Sequence, residues 1–262
     1  MKGKGLKERI KNIILAMILP IIILLIWEYC VRMELVPNSL VASPSQVFAK
    51  FIEMLTDGRL LTNSYVSMRR LLFGFIIGTS LGIAIGTIVG FSKLGTKIVE
   101  PTLLALLPIP PVAWIPFLII IFGIDEASKI ALISMGSFWT LFLQTSYGIR
   151  TVDKNLIEVA RIFKKDWKAV LQKVMIPSCL PHIFSGMRMA LAISWGLLVM
   201  SEIIASSRGL GWLIWDARNF SRPADLIVGM IATGILGKLT DSLIVRAEKR
   251  VTRWRTTYRD IQ

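Results

Sequence analysis

The residue types that most often carry chemistry are sparse in this sequence of 262 residues. Its single histidine, His182, lacks the set of cysteine, aspartate or histidine partners that a metal site or a catalytic triad requires. The nearest match to a phosphate-binding loop runs from Gly90 to Lys97, but there threonine precedes lysine at the end of an apolar segment. The sequence therefore predicts no cofactor, no metal and no enzymatic activity in this chain.

One amphipathic segment, residues 156–183, indicates a binding function instead. It reads LIEVARIFKKDWKAVLQKVMIPSCLPHI, with two apolar stripes at helical spacing. This spacing predicts two short helices that meet at residues 164–166, and Pro177 and Pro181 are predicted to end the second helix. Exposed apolar stripes with a basic rim are typical of docking, either to a peripheral protein or to a membrane surface.

Glycines in one apolar segment and prolines in the next predict two departures from an ordinary membrane helix. Glycines recur at strict four-residue intervals from Gly74 to Gly90, which predicts close helix packing, within the subunit or at a dimer seam. Five prolines follow between Pro101 and Pro116, so a regular helix cannot persist there. A break at membrane depth requires protein or water around the freed carbonyls, and this segment is either a wall of a transport pathway or a kinked packing helix.

The elements that position these residues are membrane helices. The chain is 54% hydrophobic and 18% charged, which is too apolar for an ordinary soluble domain. A bilayer core of roughly 30 Å requires about 20 apolar residues in a helix. Six segments fit this requirement: residues 13–30, 71–92, 101–124, 130–149, 187–206 and 226–245.

Charge placement predicts the orientation of these six spans. With both termini in the cytoplasm, the inner segments hold 22 of the 31 Lys and Arg residues. The net charge of +14 is therefore attributed to membrane topology and anionic lipid, and nucleic acid is excluded as a partner. The predicted division is a cytoplasmic tail at 1–12, a six-span transmembrane domain at 13–245 with an inner loop at 150–183, and a basic cytoplasmic tail at 246–262.

Two further features belong to the predicted outer side. Ser43 precedes an apolar spacing typical of a short amphipathic helix, and Gly209-Leu210-Gly211 predicts a tight turn between the last two spans. Glu202 and Asp241 lie inside apolar segments, facing either the headgroups or protein. A transporter driven by an ion gradient, which is the main alternative function, is expected to have ionisable residues buried at midspan and an inverted-repeat hydropathy. Neither is evident, and Glu202 and Asp241 are the only candidates. A membrane-bound enzyme is a second alternative.

The inner loop resembles the Glu-Ala-Ala loop of importer permeases of the ATP-binding-cassette (ABC) superfamily. Glu158, Ala160, Ile176, Pro177 and Pro181 match its pattern, while Val159 and Lys164 stand where alanine and glycine are usual. The resemblance extends over most of the chain to the branch associated with taurine, sulfonate and nitrate. It is carried by IPPVAWIPFLIIIFGI from residue 109, SGMRMAL from 185, SEIIASSRGLGWLI from 201, and by Gly237 and Asp241.

This resemblance implies an all-α integral membrane protein with the type I ABC importer permease fold, a short outer helix and a cytoplasmic coupling loop. It implies a plasma-membrane permease that works by alternating access in a homodimer, with an ABC ATPase that binds ATP and Mg²⁺ and an extracytoplasmic solute-binding protein as partners. The implied ATPase-coupling residues are Glu158, Val159, Ala160, Ile162, Phe163, Lys164 and Pro177. The candidate pathway or gating residues are Pro108, Pro111, Trp114, Pro116, Glu202, Gly209 and Gly211.

Overall fold

The computed structural model describes residues 2–153, 155, 158, 162 and 170–252, and every regular element within them is helical. The helices are α1 (Lys2–Arg32), α2 (Pro44–Thr56), α3 (Arg59–Phe91), α4 (Lys93–Leu106), α5 (Ile115–Phe122), α6 (Glu126–Arg150), α7 (Ile176–Ala205), α8 (Leu210–Asn219) and α9 (Pro223–Val251). A 3₁₀ turn, Pro111–Trp114, precedes α5, and a π-helical turn, Leu171–Met175, precedes α7.

The predicted membrane spans correspond to long helices of this bundle. Four helical stretches are long and apolar enough to cross a bilayer: Ile14–Arg32, Arg59–Phe91, Gln172–Ala205 and Pro223–Val251. The pair of α4 with the segment Pro111–Phe122 passes the same test as one broken span. The 25-residue α6 is less apolar because it packs between α3 and α7. Counting α6, which does not itself pass this test, gives the six spans that the sequence predicts.

The glycine stripe of α3 is the contact surface for α6. A Cβ atom placed on Gly78 would lie 2.1 Å from the carbonyl oxygen of Ser134, and one on Gly82 would lie 2.7 Å from that of Phe138. Gly74 and Gly86 meet α6 in the same way. The sequence left open whether this stripe packs within the subunit or at a dimer seam. In the structure it packs within the subunit, against α6.

The helices alternate in direction, which defines two ends of the bundle. At the α2 end, α1 and α7 finish and α3, α6 and α9 begin. At the α4 end, α3 and α6 finish and α7 begins, where Ile149, Val152, Val170, Met175 and Cys179 form a small apolar core.

The predicted amphipathic helix after Ser43 is α2. Ser43 closes a reciprocal capping box with Gln46, and Pro44 occupies the first turn, where its missing N–H costs nothing. Val47 and Met54 are buried in the hydrophobic core that α2 shares with α3, α8 and α9, whereas the apolar side chains of Phe48 and Ile52 are exposed. The helix lies across the starts of α3 and α9 and covers that end of the bundle.

The start of α7 differs from the prediction at its prolines. Pro177 and Pro181 were expected to stop a helix before the fifth span, yet the helical backbone continues from the π turn through both residues to Ala205. Pro177 lies in the first turn of α7, directly after the widened turn, where no α-helical N–H bond has to be given up. The prolines therefore mark the beginning of the fifth span.

Helix α1 is the least enclosed span. Only 6% of its Ile14–Arg32 stretch is buried, chiefly at Val31, while Trp27 packs on the shared core. Its firm attachment is polar and lies at the α2 end: Glu28 accepts hydrogen bonds from the backbone N–H of Ser45 at 3.0 Å and from the Ser45 hydroxyl at 2.8 Å.

Candidate functional site

The proline-rich segment forms the predicted break. Helix α4 ends at Leu106, and the next regular segment, which begins at Pro111, is turned by 84° relative to it. Pro108 lies exposed in the connection, Pro111 starts the 3₁₀ turn, and Pro116 lies in the first turn of α5. The break places irregular backbone inside a membrane span, as the proline spacing predicted.

Helix α5 has one face on the bundle and one face outside it. Ile115 and Leu118 pack with Leu132 of α6 and Leu197 of α7. Trp114 supports this contact and meets Phe117 edge to face, with 5.9 Å between ring centroids. The opposite face carries large apolar side chains that the subunit leaves exposed, among them Ile120, Ile121 and Phe122.

Glu202 lies completely buried at the α2 end, where four helices meet. Its carboxylate accepts hydrogen bonds from the Ser67 hydroxyl at 2.7 Å and from the Arg70 guanidinium at 2.8 Å, both on α3. The backbone N–H of Gly211, on α8, donates to the other oxygen at 2.8 Å. Every donor belongs to the same subunit, so this acid is compensated inside the bundle, as one of the two sequence-based alternatives for it expected.

Gly209 and Gly211 allow the backbone to pass close to Glu202, because neither has a side chain. Gly209 has a φ of 119°, and a Cβ on it would lie 2.3 Å from Oε1 of Glu202. A Cβ on Gly211 would lie 2.5 Å from the carbonyl oxygen of Val199. The predicted tight turn is wrong in its geometry: Gly209 precedes α8 and Gly211 lies in its first turn, because their N–H groups are held by Asn63 and Glu202.

Arg70 connects this cluster to α6. Its guanidinium bonds Glu126 through Nε at 2.8 Å and the carbonyl oxygen of Arg208 through Nη1 at 2.7 Å, while the side chain is only 3% exposed. One arginine thus joins α3, α6, α7 and the connection to α8. The arrangement fixes the α2 end as a unit, with no group placed for bond-breaking chemistry.

A charged cavity of about 460 Å³ opens beside this unit. It is bordered by Asp57 and Arg59 at the start of α3 and by Arg208, Asp216 and Asp225 around α8. The backbone N–H of Arg59 donates to Asp57 at 2.9 Å and lowers the pKa of that carboxyl. The sequence offers no local signal for this cavity, because its walls come from segments more than 140 residues apart.

The predicted coupling segment is the inner loop of residues 150–183, which begins where α6 ends, at the α4 end of the bundle. Glu158 and Ile162 are helical with exposed side chains, and 77% of Ile162 is accessible. Pro177 is half-buried in the first turn of α7. The remaining predicted coupling residues, Val159, Ala160, Phe163 and Lys164, lie outside the described residues.

Two ion pairs at the α4 end were missed by sequence reasoning. Arg150 at the end of α6 binds Glu100 of α4 through two bonds of 2.7 Å, and Arg188 of α7 binds Asp241 of α9 at 2.8 Å. Only the presence of opposite charges near apolar segments could have suggested them. His182 packs its ring against Tyr147, and the described part of the chain holds no cluster of His, Cys, Asp and Glu suited to a metal ion.

A helical bundle with one broken span and an apolar face that the subunit leaves exposed fits one class of protein, a membrane transport permease. Residues 74–253 match the family described as "Binding-protein-dependent transport system inner membrane component". The chain belongs to this family, and it is therefore a multi-pass inner-membrane transport protein and not an enzyme. The family description makes a binding protein a partner of the system.

Relatives in this family are similar over nearly their whole length. A Bacillus subtilis protein named as an aliphatic sulfonates transport permease is 37% identical over 92% of this chain and 88% of its own. An Escherichia coli protein of the same name is 33% identical over 92% and 91%. A nitrate import permease from Synechocystis is 29% identical over 87% and 88%.

Solved structures support the fold. A transmembrane chain of the MetNI methionine ABC transporter, in an inward-facing conformation, aligns with a TM-score of 0.55 at 19% identity, covering 79% of this chain and 98% of that one. A chain of an amino acid ABC transporter aligns with a TM-score of 0.59 at 14% identity, covering 76% and 98%. The predicted type I importer permease fold is thereby confirmed.

Proposed function

We propose that two copies of this chain form the membrane pathway of an ABC importer for aliphatic sulfonates. An ATPase binds at the α4 end and supplies the energy, and a solute-binding protein delivers the solute at the α2 end. The subunits alternate between inward-facing and outward-facing arrangements, and ATP binding favours one of them through its differential contacts.

The broken span is the observation that carries this proposal. Irregular backbone at membrane depth is tolerated only against protein or a water-filled cavity. In the single subunit, Pro108 and its neighbours Leu107 and Ile109 are exposed, and so is the outer face of α5. A second copy that packs its own broken span opposite this one covers the apolar face and encloses the irregular segment, so that Pro108, Pro111, Trp114 and Pro116 line or border the pathway.

The orientation follows from the basic residues. The sequence segments predicted to lie on the inner side, including residues 150–188, contain most of the Lys and Arg of the chain. Loops rich in these residues remain in the cytoplasm. We therefore place the α4 end and both termini on the cytoplasmic side, where ATP is available.

The coupling segment is proposed to dock on the ATPase. Ile162 exposes an apolar side chain at a helical position, and the side chain of Glu158, four residues earlier in the sequence, is exposed at another. Apolar anchors are typical of the buried core of a protein interface, and charged side chains are typical of its rim. Ala160 and Phe163 belong to the same predicted interface by the sequence pattern.

Aliphatic sulfonate is favoured over nitrate because the sulfonate relatives share 37% and 33% identity with this chain, against 29% for the nitrate relative. The alternative of an ion-gradient transporter is disfavoured by the acids it would need. Glu202 is bonded to three donors inside the subunit, and Asp241 is paired with Arg188.

The test is uptake into proteoliposomes that contain the permease and its ATPase, with the solute-binding protein and radiolabelled taurine on the outer side and ATP inside. We expect uptake only with ATP and with both partners, and competition by other alkanesulfonates. Competition by nitrate alone would reassign the solute. Uptake that needs an ion gradient and no ATPase would reject the importer assignment.

A further inference from the structure

Helix α4, the first half of the broken span, has an unusual setting in the subunit. None of its 14 residues is buried. Its first turn is fixed to the end of α3, because Ser92 accepts a hydrogen bond from the N–H of Gly95 at 3.0 Å and the Thr96 hydroxyl donates to the carbonyl oxygen of Val89 at 3.0 Å. Beyond that turn, packing contributes little to its position.

One ion pair holds the middle of α4 to the bundle. Both terminal nitrogens of Arg150 bond the two carboxylate oxygens of Glu100 at 2.7 Å. The Glu100 side chain is 14% exposed and that of Arg150 is 37% exposed. A bidentate guanidinium–carboxylate pair fixes direction as well as distance, because two parallel bonds prevent rotation of one group over the other.

Arg150 is also the residue at which α6 passes into the coupling segment. Its neighbours Ile149 and Val152 are buried against Val170, Met175 and Cys179, which lead into α7. The described residues at the two ends of the coupling segment are therefore joined by a packed core. From there, the guanidinium of Arg150 reaches α4 directly.

We propose that the Glu100–Arg150 pair is the link through which movement of the coupling segment reaches the broken span. This inference rests on the proposed importer function. Both residues act as positioning residues: they hold α4 at a set angle to α6, and they touch neither solute nor ATP. Without the pair, the ATPase can complete its cycle while α4 no longer follows it.

The experiment measures taurine uptake and ATP hydrolysis in the same proteoliposomes, with the ATPase and the solute-binding protein present. The variants are Glu100→Arg, Arg150→Glu and the double exchange. We expect each single reversal to lower the taurine imported per ATP hydrolysed by roughly fivefold or more. The double exchange recreates the pair with opposite polarity, and it should restore the ratio to within about twofold of wild type.

The Arg188–Asp241 pair provides a matched control. It joins α7 and α9 at the same end of the bundle and is similarly accessible, with side chains 47% and 24% exposed. These two helices also pack directly, and the Trp195 indole donates to Thr240 at 3.1 Å. We therefore expect Arg188→Glu to leave the ratio of uptake to hydrolysis within about twofold of wild type, because its helices keep their packing.

Co-purification of the ATPase with each variant distinguishes a complex that does not assemble from one that assembles but does not couple. Where a charge reversal prevents assembly, Glu100→Gln removes the ion pair without reversing a charge and tests its role in coupling. A wild-type ratio in the assembled single variants would overturn the inference, and so would a double exchange no better than the single reversals. Absence of ATP-driven uptake by the wild-type complex would reject the proposed function itself.

Discussion

Replacement of Gly78 by alanine tests whether the close approach of α3 and α6 stabilises the subunit. The added Cβ would lie 2.1 Å from the carbonyl oxygen of Ser134 and 2.7 Å from the Cβ of Ser137. Both obstacles belong to a rigid helix: one is backbone, and the other is the first side-chain atom. Neither can rotate away, so the helices must separate.

The size of the effect follows from two opposing contributions. Overpacking a close contact costs about 1–3 kcal/mol. Alanine in a helix is favoured over glycine by up to about 1 kcal/mol, a gain that applies wherever the new methyl group meets nothing. Gly196 on α7 and Gly234 on α9 are such positions, since neither has an atom within 4 Å of the added Cβ. The difference between Gly78→Ala and these controls isolates the contact.

The assay is thermal unfolding of the detergent-solubilised protein, followed by tryptophan fluorescence at one scan rate. At about 2–4 °C per kcal/mol for a chain of this size, we expect the Tm of Gly78→Ala to fall at least about 2 °C below both controls. Equal Tm values for all three variants would refute the argument that the glycine stripe is required for α3 and α6 to pack.

Three further predictions concern the α2 end. Gly209→Ala should lower the Tm by more than Gly196→Ala, because it combines a φ of 119° with a contact on Glu202; an unchanged Tm would contradict this geometry. Glu202→Gln should lower the free energy of unfolding by about 3–5 kcal/mol, because it leaves the buried Arg70 with one carboxylate fewer. Urea or thermal unfolding measures this change, and an unchanged stability would show that Glu126 alone compensates the charge of Arg70. Ser43→Ala should cost about 1 kcal/mol through loss of the capping box, with Ser43→Asp retaining stability, since either a hydroxyl or a carboxylate can accept the bond from Gln46.

The number of spans could be predicted from the sequence because lipid selects apolar side chains along most of each helix. The second span was placed from residue 71, yet α3 begins at Arg59. Its first twelve residues include Arg70, whose charge is neutralised by Glu126 and Glu202 from distant parts of the chain. A hydropathy profile treats Arg70 as a charged residue, because it does not include the ion pairs that Arg70 forms with residues distant in the sequence.

Local geometry at the site was predictable where one residue type dictates it. The prolines of the third span produced a break, as their missing N–H groups require. At Gly209 and Gly211 the same reasoning failed, because their N–H groups are held by Asn63 and by the buried carboxylate of Glu202, and these bonds organise a helix start. The role of each ion pair depends on which helices it joins, and that is a property of the packed bundle.

The loose enclosure of α1 has a consequence for how this sequence can vary. Over most of its length, the described side chains of α1 meet no other helix of the subunit, and any apolar residue of helical propensity fits there. Glu28 differs, because it holds the start of α2 through Ser45. Among natural variants, we expect the body of α1 to drift freely in sequence while its final turn is retained.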